Sequence, residues 1–184
     1  VKACMDAANW NHGLSVAVNL SAKQFADPKL YHTVRHALRE SGIEPSRLEL
    51  EITETALIQN LQLAAEVLGR LKRLGVRIAL DDFGTGYSSM QMVQQFPFDR
   101  IKIDKSFILT MDSDPKSRAI VDAILRLGHN LSIPVVAEGV ETEAQAQALI
   151  EANCEELQGF LISRPVPMSK DFTQQLCMNM LKVG

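Results

Sequence analysis

The chain has 184 residues, 46% hydrophobic and 22% charged, a balance that suits one globular domain and is too apolar for disorder. Its formal net charge of -3 argues against a duplex nucleic-acid surface, which needs clustered Lys and Arg. No apolar run approaches the roughly 18 residues of a membrane span, nothing reads as a signal peptide, and Cys4, Cys154 and Cys177 form no CxxC pair, which predicts reduced thiols in a cytoplasmic compartment.

Val1 leads straight into a helical pattern, VKACMDAANW, which reads as the start of a cropped domain. LSVAVNL (14–20) is short, β-branched and bounded by Gly13 and Ser21, and predicts a strand. KLYHTVRHALRES (29–41) predicts a helix stopped by Gly42, and RLELEIT (47–53) the next strand. NLQLAAEVLGRLKRL (60–74) is amphipathic and ends at Gly75, where a left-handed cap fits. Strand VRIAL (76–80), a short helix near 88–95, strand DRIKI (99–103) and helix PKSRAIVDAILRLGHNL (115–131) follow. Strand IPVVAE (133–138), helix ETEAQAQALIEAN (141–153), strand LQGFLI (157–162) and a closing helix near 168–182 complete the chain. About six strand–helix units in alternation imply an α/β fold with a parallel sheet covered by helices.

The polar residues choose between the two folds of that kind. Asn19 ends the first strand, Glu51 lies near the end of the second, and Asp81 and Asp82 end the third. Lys102 sits late in the fourth, Glu138 ends the fifth and Gln158 lies in the sixth. Parallel strands bring their C-terminal ends to one rim, so every strand delivers a polar group to one face. That is the habit of a TIM-type (β/α)8 barrel, whereas a doubly wound sheet concentrates function at a single switch point. Closure takes eight strands, so the expectation is a barrel with two strands upstream of Val1.

The rim set of Asn19, Glu51, Asp81, Asp82 and Glu138 is all oxygen, which favours Mg²⁺, Mn²⁺ or Ca²⁺ over zinc. One or two such ions would neutralise the adjacent acids of LDDFG, whose burial as bare charges costs several kcal/mol or more each. Lys102 alternates with Ile101 and Ile103 and shares a face with Asp104. It is either a counter-ion or a group that orients and deprotonates water. The glycines of DDFGTGYSS match neither a P-loop nor GxGxxG; they serve either a ligand-side loop that flexes or a plain tight turn. His32 and His36 stand four apart without an HExxH glutamate and read as solvated surface, while Trp10, Met90, Met92, Met178 and Met180 read as core or contact residues.

VNLS, LELEITE, LDDFGTGYSS, IKIDKSF, VAEGVET and QGFLISRPVP stand in order along almost the whole chain. Together they resemble the EAL-domain cyclic di-GMP phosphodiesterases of bacteria. The resemblance implies a (β/α)8-type barrel that hydrolyses cyclic di-GMP to linear pGpG with Mg²⁺ or Mn²⁺ and is inhibited by Ca²⁺. It implies metal ligation by Asn19, Glu51 and Asp81, a second metal on Asp82, and Glu138 completing the shell. Lys102 would hold the attacking water and help deprotonate it, and Gln158 would support the water and substrate side. Glu54 would anchor the flexible loop Phe83–Gly84–Thr85–Gly86, and Glu141 would back the metal ligands from behind. A homodimer through the helix over 88–96 is one implied arrangement; packing of Met90, Met92, Val93 and Phe96 on their own barrel is the other.

The Glu-Ala-Leu tripeptide that names the family should precede Asn19, and none occurs between Val1 and Asn19. The whole chain (1–184) is therefore expected to be an N-terminally truncated EAL-type domain that turns over poorly by itself. The parent protein would carry upstream sensory or GGDEF-type domains, with this domain in the cytoplasm whether or not the parent is membrane-anchored. Two other readings stand beside the enzyme: an inactive cyclic di-GMP receptor or protein-interaction domain, and a structural remnant with unpaired strand edges.

Overall fold

The computed structural model describes residues 1–10, 14–58, 60–86 and 90–165, with only the backbone for Met90 and Gln91. The expected closing helix near 168–182, Cys177, Met178 and Met180 lie outside these residues, as do Tyr87, Ser88 and Ser89.

Helix α1 (Lys2–Ala8) precedes β1 (Val16–Leu20), α2 (Ala22–Phe25) and α3 (Leu30–Ser41). Strand β2 (Leu48–Thr53) runs into α4 (Glu54–Ile58), then α5 (Leu61–Lys72), β3 (Arg77–Phe83) and α6 (Met90–Gln95). The remainder is β4 (Arg100–Ile103), α7 (Lys105–Thr110), α8 (Pro115–Leu131), β5 (Val135–Glu138), α9 (Glu143–Glu151) and β6 (Glu156–Gln158). Local chemistry sets the helix ends. Gly42 takes the left-handed conformation that stops α3, with φ 65°. Asn60 accepts the Leu63 N–H at the start of α5, Asp114 caps α8 ahead of Pro115, and Thr142 forms a reciprocal capping box with Gln145 at α9. The sequence pattern does not announce the short helices α2, α4 and α7, each of which follows directly from a strand end.

All neighbouring strands are parallel, and their spatial order equals their chain order, β1 to β6. A doubly wound sheet reverses direction of travel at its switch point; this sheet never does. It is a half-barrel of the (β/α)8 type, with helices on its convex face. Leu48, Leu50, Ile52, Ile78, Leu80, Ile101 and Ile103 point at those helices and are at most 2% exposed. Met92 and Val93 of α6 and Phe96 just after it join this core, so these three apolar side chains are used within the chain. No helix of the described residues is long and apolar enough to cross a membrane.

Strands β1 and β5 start two residues later than expected, and two others end elsewhere than expected. β3 continues through Asp81 and Asp82 to Phe83, with a register shift after Leu80 and Asp82 at φ 54°; the irregular step turns successive carboxylates out of strict alternation. β6 ends at Gln158, because the Gly159 carbonyl accepts the Ile162 and Ser163 N–H groups and curls the chain into a turn.

Candidate active site

Strand register puts Asn19 beside Glu51, Glu51 beside Ala79, and Glu138 beside Gln158, all on the concave face of the sheet. Asp81 follows two residues beyond Ala79, and Lys102 two beyond Arg100, on the same face by the twofold period of a strand. The sequence thus writes alternate positions for two environments: branched aliphatic groups toward the helices, and charge toward the barrel axis.

Lys102 is the centre. Its Nζ donates to Glu51 Oε1 at 2.6 Å, lies 2.6 Å from Glu138 Oε1, and is 3.6 Å from Asp81 Oδ1. Glu51, Asp81 and Lys102 are all less than 9% exposed. Burial works against the Lys102 ammonium, but the hydrogen bonds it donates to Glu138 and Glu51 outweigh it and hold its pKa above the usual lysine value. Lys102 thus meets these carboxylates as a hydrogen-bond donor.

One ammonium against three carboxylates leaves a net charge of -2 in a poorly hydrated site. Burial raises the Glu138 pKa, the Lys102 contacts opposing it. Burial also raises Asp82, reinforced by the charges of Asp81 and Asp104. Asp81 Oδ1 is buried and accepts no hydrogen bond among the described residues. Carboxylate oxygens of Asp81, Asp82 and Glu138 lie within 4.8 Å of one another. A buried acceptor without a donor, beside excess negative charge, fits a divalent cation, and the all-oxygen donor set suits Mg²⁺ or Mn²⁺.

The other expected residues sit on the strands and turns around this centre. Asn19 is exposed on the edge strand β1, level with Glu51, and Gln158 is exposed on β6, level with Glu138. Glu54 opens α4 and is 2% exposed; a Cβ built on Gly86 would stand 3.2 Å from its Oε1, so the carboxylate lies directly under the loop. Phe83 is buried, Gly84 has φ +99° against the Phe107 ring, and Thr85 Oγ1 donates to the Asp82 carbonyl. Glu141 is exposed, and its N–H donates to Gln145 Oε1; among the described residues no hydrogen bond or ion pair joins its side chain to the rim groups. Asp104 was not singled out as a site residue, yet its carboxylate meets Asp82 while capping α7 through the Ser106 N–H. Its spacing two residues after Lys102 was the available signal.

A family model described as EAL domain matches residues 1–165. The chain is 46% identical over 160 residues to the bifunctional diguanylate cyclase/cyclic di-GMP phosphodiesterase MucR of Pseudomonas aeruginosa, covering 87% of this chain and 23% of MucR. It is 41% identical to the cyclic di-GMP phosphodiesterase NbdA of the same organism, covering 91% of this chain and 22% of NbdA. The chain thus spans about a fifth of the length of the curated relatives it matches. Among solved structures, the MucR phosphodiesterase in complex with c-di-GMP superposes with a TM-score of 0.88 at 43% identity, covering 95% of this chain and 70% of that one. A manganese and c-di-GMP complex of Klebsiella pneumoniae BlrP1 does so with 0.81 at 33%, covering 89% and 42%. On its six-stranded half-barrel, its acidic rim and these matches, the chain belongs to the EAL domain family.

Proposed function

We propose that this chain carries the site for metal-dependent hydrolysis of cyclic di-GMP to linear pGpG. The observation that carries the reading is the Lys102 ammonium locked between Glu51 and Glu138 beside a donorless Asp81 oxygen. Asn19, Glu51, Asp81, Asp82 and Glu138 would hold Mg²⁺ or Mn²⁺, with Asp82 and its neighbour Asp104 on the side of a second ion. When bound, the cation supplies Lewis-acid activation of water and neutralises charge on the phosphoryl group.

The chain's own groups do the rest. Lys102, as an ammonium, donates a hydrogen bond to the attacking water and fixes its position, and its charge favours loss of that water's proton. The water oxygen forms the new P–O bond, one ribose oxygen leaves with its electron pair, and a proton finishes on that oxygen. Gln158 stands beside Glu138, where its amide reaches the water and substrate side. Glu54 holds the Phe83–Gly84–Thr85–Gly86 loop against the rim and takes no part in bond making. BlrP1 with calcium and c-di-GMP shows that a relative's complex also accommodates Ca²⁺; here we propose that Ca²⁺ occupies the site and inhibits.

The test incubates the full protein that contains this domain with cyclic di-GMP and Mg²⁺ or Mn²⁺, following products by chromatography and mass spectrometry. Wild type is expected to form pGpG, to stop with EDTA or Ca²⁺, and to lose about 10²-fold or more in kcat on Lys102→Ala. Binding of cyclic di-GMP by the wild type without any pGpG would replace the enzyme with a receptor.

A further inference from the structure

Beneath the rim lies a second charged layer that the reaction does not use. Arg100, two residues before Lys102 on β4, points its guanidinium across the concave face. Its Nη1 donates to both carboxylate oxygens of Glu49 on β2, at 3.0 and 2.9 Å, and its Nη2 donates to Glu156 on β6. Glu49 is 4% exposed, and the Arg100 side chain 18%. The register partner of Arg100 on β3 is Ala79, whose lone methyl leaves room for the long side chain to pass over that strand.

Each arm of this tie ends two residues short of a rim group on the same strand: Glu49 before Glu51, Arg100 before Lys102, Glu156 before Gln158. Barrel interiors are ordinarily filled by branched aliphatic residues, which pack but do not dictate a separation between strands. A planar guanidinium whose two terminal nitrogens each hold a carboxylate on a different strand does dictate one. It spans from β2 to β6, five of the sheet's six strands, and so fixes the curvature of the half-barrel just below the rim.

We propose that Arg100 is a positioning residue: by tying Glu49 to Glu156 it sets the spacing at which Glu51, Lys102 and Gln158 face one another, and hence the rim's grip on a divalent cation. The inference rests on the proposed function for its purpose, though its test does not depend on turnover.

The experiment compares wild type, Arg100→Lys and the double variant Glu49→Leu/Arg100→Met, all in the full protein. Thermal denaturation reports folding, titration calorimetry with Mn²⁺ alone reports the rim, and pGpG formation reports the reaction. Replacing a buried ion pair by apolar groups of similar volume tends to preserve stability, so the double variant is expected to melt near wild type. Its Mn²⁺ affinity is expected to fall about tenfold or more, in the range for loss of groups that orient ligands from behind. Arg100→Lys, which reaches only one of the two carboxylates, is expected to lie between. Unchanged Mn²⁺ affinity in the folded double variant overturns the proposal; if that variant does not fold, unchanged affinity in Arg100→Lys does so. Weakened Mn²⁺ binding in a protein whose wild type makes no pGpG sustains the tie and sinks the hydrolase.

Discussion

Removing the Lys102 charge separates its two roles, because one is electrostatic and the other catalytic. Lys102→Met keeps much of the stem volume and deletes the ammonium, leaving the side chains of Glu51, Asp81 and Glu138, which are 8%, 11% and 18% exposed, without their cation. Breaking a buried pair by deleting one partner costs about 3–5 kcal/mol. For a domain of this size each kcal/mol lowers Tm by roughly 2–4 °C, so metal-free variant should melt on the order of 10 °C below wild type. The local charge falls from -2 to -3, which strengthens the attraction for a divalent cation. Saturating Mn²⁺ should therefore raise Tm by more in Lys102→Met than in wild type, through the extra binding energy in the folded state, while pGpG formation stays lost. Differential scanning fluorimetry in EDTA and in Mn²⁺ measures both shifts. An unchanged Tm in EDTA, or equal Mn²⁺ shifts in the two proteins, would refute the picture of one ammonium standing in for missing cationic charge.

Acidification gives an independent reading of the same charge excess. Glu138 and Asp82 have folded pKa values above their ordinary values of 4.5 and 3.8, so their contribution to stability is complete below those values and is lost as pH rises through the folded ones. In EDTA, the Tm of wild type should hold or rise between pH 7 and 5 relative to Glu138→Gln, and a steeper fall in wild type than in the variant would contradict it. Gly159→Ala places a Cβ 2.1 Å from the Val140 carbonyl oxygen, forcing apart the backbones that join through the Val140 N–H and the Gln158 carbonyl. Overpacking of this kind costs about 1–3 kcal/mol, to be read in chemical denaturation; an unperturbed midpoint would show that the turn yields freely. Burial pushes the Cys154 thiol up to about 11 and also raises Cys4, so iodoacetamide at pH 8 should leave both largely unmodified in the native protein by peptide mass mapping, and rapid labelling of Cys154 would disprove its enclosure.

Most of the architecture was legible because it depends on patterns a single strand or helix can express. The helix read over 115–131 is the one the structure starts and ends at Pro115 and Leu131. The barrel followed from where six strands place their polar ends. What the pattern could not express is anything settled between strands. The uneven step at Asp82 is an example: nothing in VRIALDDF says that β3 continues past Leu80 with a shifted register, since that step is set by the pairing with Ile103 on β4. The end of β6 is another. LQGFLI reads as six strand-forming residues, but Gly159 must press on the Val140 backbone, and the chain turns there instead.

The charged interior was half legible, and the missing half is instructive. LELEIT on β2 shows an apolar residue at every second place with acids between, the usual mark of a strand with one wet face. Yet Glu49 and Glu51 are buried as deeply as a core requires, at 4% and 7% exposure. The reason lies two strands away. RIKI on β4 alternates in the same way with the opposite sign, so that Arg100 meets Glu49 and Lys102 meets Glu51. Neither strand alone distinguishes solvent from a partner; only the two read together do, once chain order is known to equal spatial order. Complementary alternation on β2 and β4 is thus a sequence signal for a buried polar layer, and it assigns different work to its two levels. At the lower level both acids find a donor, Glu49 on Nη1 and Glu156 on Nη2 of Arg100. At the upper level not every acid does: Lys102 cannot balance Glu51, Asp81 and Glu138, and the uncompensated charge there is what a divalent ion would answer.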